Sequence, residues 1–137
     1  MSYAFASGLQ ACVYARLAGD SALGALVGDA IFDGPPALTP ADTDYVTLGE
    51  ESVRDFGTKT SDGAIHDFSV TAYSGRDGFD GVKRVAEAVC AALVDAPLAL
   101  DAGRLVALRF LRASAERGRA PVKRRVVLRF RAVVDQA

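Results

Sequence analysis

In Ile65-His-Asp-Phe-Ser-Val-Thr-Ala-Tyr73 apolar and polar residues alternate. Just downstream, in Phe79-Asp-Gly-Val-Lys-Arg-Val-Ala-Glu-Ala-Val-Cys-Ala-Ala-Leu93, the apolar residues instead recur every three or four positions. In the first segment Phe68, Val70 and Ala72 point one way while Asp67, Ser69 and Thr71 point the other, the period of a half-buried strand with a solvated outer face. In the second, Phe79, Val82, Val85, Ala86, Val89 and Leu93 form one stripe opposed by Asp80, Lys83, Arg84 and Glu87, which predicts a helix over 78–94. A strand leading through a glycine-rich turn, Gly75 to Gly78, into an amphipathic helix requires a sheet with a helix laid on it. The flanks decide what kind of sheet.

Upstream, Tyr45-Val-Thr-Leu-Gly49 reads as a strand, with Gly49, Glu50 and Glu51 marking its end or a bulge, and Ser52 to Gly63 as a polar, mobile segment. Further back, Phe5, Leu9, Cys12, Val13 and Leu17 predict a helix within residues 2–17. Asp20 is placed to cap a second, short helix that ends at Gly28. Ala30 to Phe32 suggests a brief strand, and the proline-crowded segment from Asp33 to Asp44 a surface loop. Downstream, Leu105–Leu111 and Val122–Val134 read as two strands of an antiparallel hairpin joined by the hydrophilic Arg112–Pro121. In the last strand Val126, Leu128 and Phe130 alternate with Arg125, Val127, Arg129 and Arg131. The order is α-α-β-loop-β-β-α-β-β, an α+β class with a mainly antiparallel sheet and helices packed on one face, the whole of residues 1–137 forming a single domain.

Composition bounds the function. Of the 137 residues 50% are hydrophobic and 24% charged, enough to bury a core without disulfides or a structural metal. Cys12 and Cys90 have no C-x-x-C or Cys/His context and fall on apolar stripes, so they read as reduced core residues of a cytoplasmic protein. No run approaches the length of a membrane span, and the opening residues lack a basic and then apolar leader, which argues against secretion. The net charge of −1 conceals an asymmetry: residues 1–103 hold 15 of the 17 acidic side chains, residues 104–137 hold 10 of the 16 basic ones. Such a division reads either as acidic elements packed beside basic ones within the molecule or as the complementary ends of a head-to-tail assembly.

Catalytic and ligand motifs are sparse. His66, the sole histidine, lies in a predicted strand without the Ser/Asp or Cys partners of a general base or a metal site, and reads as a solvent-facing or hydrogen-bonded structural residue. The acidic set Asp42, Asp44, Glu50 and Glu51 reads as a solvated loop edge, a carboxylate pair or hard-cation site being the alternative. Gly75-Arg-Asp-Gly-Phe-Asp-Gly81 matches neither phosphate-loop spacing; Asp77 and Asp80 fit better as helix caps accepting from exposed N–H groups. The arginine-rich C-terminal region offers phosphate contact, but Phe110 and Phe130 fall on the apolar face, so no aromatic platform for base stacking accompanies it.

The helix with its short companion, Tyr45-Val-Thr-Leu-Gly-Glu50, the polar gap, the strand from Ile65 to Ser74, and the helix ending Val85-Ala-Glu-Ala-Val-Cys-Ala-Ala-Leu93 together resemble the small tail-completion or tail-terminator proteins of long-tailed phages. The likeness covers nearly the whole chain, and the Ala- and Arg-rich composition is similar to versions encoded by gene transfer agents. The resemblance implies a non-enzymatic structural protein without cofactors or metals, assembled in the bacterial cytoplasm and located at the head–tail junction of the particle. It further implies a homo-oligomeric, hexameric ring that caps the tail tube, ends its growth and meets the head-side stopper or connector protein, with DNA crossing the bore unread and no membrane partner. Tube or connector contacts are then expected in the two polar segments, at Arg54, Asp55, Lys59, Arg112, Glu116, Arg117 and Arg119, with the proline-rich loop as a further candidate. Ring or bore positions are expected at Arg125, Arg129 and Arg131. A stopper protein, a small DNA-binding module using the C-terminal arginines, and a small carboxylate enzyme near residues 42–51 are the competing readings.

Overall fold

A computed structural model describes residues 3–34, 44–57, 62–100, 102–118 and 123–136. Its elements run α1 (Ala6–Ala18), α2 (Ser21–Val27), β1 (Ile31–Asp33), β2 (Tyr45–Asp55), β3 (Gly63–Ser74), α3 (Asp80–Leu93), β4 (Arg104–Arg117) and β5 (Arg124–Asp135). The five strands form one sheet ordered β1-β2-β3-β5-β4, antiparallel except for the short parallel β1–β2 pair. This is the α+β architecture expected from the alternating and helical periods. The proline-rich loop lies mostly outside the described residues.

All three helices pack on one face. Leu9, Val13 and Leu17 of α1, Leu23 and Val27 of α2, and Val82, Val85, Val89 and Leu93 of α3 are buried with Val46, Phe68, Val70, Leu128 and Phe130 of the sheet in one apolar core. Asp20 Oδ2 accepts from Leu23 N–H at 2.9 Å, and Gly28 (φ 60°) ends α2 in a conformation that costs a Cβ-bearing residue energy. Gly49 marks a bulge rather than a strand end: the β2–β3 register shifts between Leu48 and Glu51, and a Cβ at Gly49 would lie 2.9 Å from Ser69 Oγ.

Several boundaries differ from the sequence reading. Ser52–Asp55 and Arg112–Arg117 are ordered strand, not polar loop, because each continues a ladder with β3 or β5 past the point where its own apolar alternation stops. Asp77 and Asp80 do not cap α3: its first turn has no side-chain cap, Asp77 instead pairs with Lys123 at 3.1 Å and Asp80 with Arg84 at 3.0 Å. The outer side of β3 is not solvated, since Ser69 and Thr71 are buried on a face with no helix. β3 is the middle strand, with Thr47 and Val127 on either side of Thr71 and Arg129 opposite Ser69. Cys12 and Cys90 are free thiols at the core margin, half-buried rather than inside it; Cys12 Sγ lies 3.2 Å from Ala99 O, and burial pushes the Cys90 thiol up.

Candidate functional site

Residues opposed across an antiparallel ladder share a face, so the register fixes the content of the sheet surface away from the helices. Ser52 and Arg54 of β2 oppose Asp67 and Ile65 of β3. Arg125, Arg129 and Arg131 of β5 oppose Tyr73, Ser69 and Asp67 of β3 on one side, and Glu116, Arg112 and Arg109 of β4 on the other. The face therefore carries Arg54, Arg109, Arg112, Arg125, Arg129 and Arg131 around two acids, Asp67 and Glu116.

Only part of that charge is compensated. Arg131 binds Asp67 bidentately at 2.7 and 3.0 Å, and Arg125 Nε donates to Glu116 at 2.6 Å. The Arg131 hydrogen bonds hold the Asp67 carboxyl below the usual carboxylate range against the opposing effect of burial, and the charges of Arg131, Arg54 and Arg129 lower it further. Two rungs of the β4–β5 ladder place like charges opposite each other, Arg109 against Arg131 and Arg112 against Arg129, an arrangement that costs stability unless an anionic group from outside lies against it.

The sequence-level candidates sort accordingly. Arg54, Arg112 and Glu116, expected in tube-facing loops, share the helix-free face with Arg125, Arg129 and Arg131, expected at the ring or bore. Asp55 and Arg117 lie on the helix side: Asp55 opposes Ala64 and accepts from Gly57 N–H at 3.2 Å, and Arg117 opposes Arg124, whose guanidinium stacks 4.9 Å from the Phe79 ring centroid. Lys59 and Arg119 lie outside the described residues. Arg109 completes the face, and its alternation with Leu108 and Phe110 carries the sequence signal for it.

Two members of the acidic set, Asp44 and Glu51, do not lie on a solvated edge. Asp44 is 4% exposed and 3.7 Å from Arg76 Nε. Glu51 lies on the helix side, accepting from Tyr3 OH at 2.5 Å and sitting 3.2 Å from Nδ1 of the wholly buried His66. Glu50 is exposed and Asp42 is outside the described residues. The histidine is thus the hydrogen-bonded structural one. Among the described residues no three His, Cys, Asp or Glu side chains are grouped to hold a metal, and no helix is long and apolar enough to cross a membrane.

At the β1 flank α1 and the strands enclose a groove of about 600 Å3 whose walls include Tyr3, Gln10, Tyr14, Asp33 and Leu48. At the opposite flank β4 exposes Val106, Phe110 and Leu111. Neither surface is legible as a site from one sequence period, since each is made by elements distant along the chain or by a bulge.

The model of the family described as "Tail completion protein gp17" matches residues 11–135. The chain belongs to the tail completion protein gp17 family. It is a structural component of a phage-like tail, as the resemblance implied. Among solved structures, a chain of the "Virion of native gene transfer agent (GTA) particle" is similar over 98% of this chain and 99% of its own length, with 48% identity and a TM-score of 0.89. A search of curated proteins found no match. The tail completion fold here thus carries, on a strand-built face, an arginine cluster that its own acids only partly neutralise.

Proposed function

We propose that this tail completion protein forms a hexameric ring on the last ring of the tail tube, stops tube elongation there and presents a surface to the head-side connector, with DNA passing through the bore. It acts at the head–tail junction without catalysis, residues 1–137 working as one domain. The observation that carries this reading is the near-full-length likeness to a chain of a gene transfer agent virion. The geometry supports it by separating two flanks and a charged face on one small sheet: a protomer in a closed ring needs two different lateral surfaces, and the remaining faces serve the bore and the axial partners. In this arrangement Arg129, with Arg54, Arg109 and Arg112, faces an anionic surface, either the passing DNA or an acidic partner; Arg131 and Arg125 are tied to Asp67 and Glu116 and shape the face rather than binding.

Co-assembly with the cognate tail-tube protein tests the proposal. Electron microscopy is expected to show tubes of defined length carrying a ring of this protein at one end; tubes of unchanged length with bare ends refute it. The like-charged rungs favour one other reading, a DNA-binding module, which requires the isolated protomer to bind duplex DNA with an affinity falling steeply with salt. A flat or absent salt response removes that reading.

A further inference from the structure

We infer that copies of this chain join head to tail, the β4 edge of one seating in the groove between α1 and the β1 flank of the next. The inference rests on the ring reading above and names the two surfaces that close it. The sheet order makes β1 and β4 its opposite flanks, so a contact between them repeats from copy to copy without using either surface twice.

The two flanks differ in form. On β4 the register shifts between Leu105 and Ala107 and between Phe110 and Arg112, and these bulges take Val106 and Leu111 out of the ladder. Val106, Phe110 and Leu111 are 53%, 45% and 40% exposed, a row of large apolar side chains on an unpaired edge. At the other flank β1 spans three residues and pairs β2 only as far as Leu48, leaving the groove beside α1 with Tyr3 and Tyr14 exposed at its walls.

They differ in charge as well. Arg109 and Arg112 bracket Phe110 and Leu111, and neither has an acid partner among the described residues. Asp33 lines the groove, and exposed Glu50 follows two residues after Leu48. An apolar row bracketed by arginines thus meets an aromatic-walled groove bordered by carboxylates, and the tyrosine rings offer faces on which a guanidinium stacks. Two β4 edges set against each other would oppose arginine to arginine. The occupant that fits both shape and charge is a second copy in head-to-tail orientation.

The test places thiols at exposed positions of the full chain in a Cys12→Ser, Cys90→Ala background, joining Phe110→Cys to Tyr14→Cys with a short bis-maleimide, both in free protein and on capped tubes. With both cysteines in one chain the expected product is a ladder of covalent oligomers. Either alone leaves monomer, and an equimolar mixture of the two single variants stops at dimer. Dimers from Phe110→Cys alone mean that the edge pairs with itself and overturn the inference. Capped tubes without a ladder overturn the inference and leave the cap standing, whereas a ladder from protein that never caps tubes supports the interface and refutes the cap. If the thiol variants fold poorly, Arg112→Glu and Asp33→Arg supply a second reading. Each alone raises the protein concentration for half-maximal capping by about tenfold or more. Mixing them restores capping, since each then meets the other's reversed charge; a mixture that fails to recover overturns the inference.

Discussion

Glu51 is the acceptor on which two other side chains depend. His66 is wholly buried, its Nε2 has no partner among the described residues, and Nδ1 reaches only Glu51 Oε2, while Tyr3 OH donates to the other carboxylate oxygen. Glu51→Ala would strand the imidazole, and we expect a loss of about 1–3 kcal/mol in urea denaturation, without any change of fold by circular dichroism. An unchanged midpoint would show that the histidine finds water instead. Asp67 makes a contrasting case. Its carboxyl is held below the usual range, so the stability it contributes is present above the unfolded-state pKa and lost as pH falls through the folded one. Asp67→Asn should therefore lower the denaturation midpoint at pH 7, and the difference between the two proteins should close below about pH 4. A gap independent of pH would mean that packing, not charge, is responsible. The sequence made the histidine legible as structural, yet its partner lies fifteen residues away across a bulge. No spacing rule predicts which of Glu50 and Glu51 such a bulge turns inward.

At the scale of elements, the helices and the centres of the strands were legible because each has one apolar face, and the ends of β2 and β4 were not. From Arg112 to Arg117 the β4 edge is exposed on both sides or lined by small residues, so no period of two survives in the sequence; the ladder to β5 alone makes it a strand. This changes what a useful variant is. Removing Arg112–Pro121 as a loop would strip β5 of its β4 partner along Arg124–Arg129 and open one edge of that core strand, leaving it paired there to β3 alone, so side-chain substitutions are the cleaner probe. Arg112→Thr should relieve the rung with Arg129 and raise stability by about 0.2–1 kcal/mol while weakening tube capping. A variant that is more stable and caps as well as the parent would show that the rung serves no partner.

For the whole molecule, the division of charge along the chain turns out to be partly internal. Asp67–Arg131 and Asp77–Lys123 pair the acidic region with the basic one, and what remains is concentrated on the helix-free face and the β4 flank. Assembly driven by that remainder should weaken as ionic strength rises from about 50 to 500 mM, read as a higher protein concentration for half-maximal capping, because exposed charges beyond a Debye length are screened. Salt-independent capping would assign the binding energy to apolar contact alone. The fold class was legible in the order of elements, but which strands are the flanks was not: pairing β5 beside β3 and leaving β4 outermost is a matter of tertiary packing that local periodicity does not record. The open β4 edge has a further consequence, for the chain before it meets any partner. A long strand with a free ladder and exposed Val106, Phe110 and Leu111 is a template for runaway aggregation, and Arg109 and Arg112 sit beside those residues as gatekeepers. Losing the same two arginines should therefore raise aggregation of the free chain, read by light scattering, before any effect on a particle is seen.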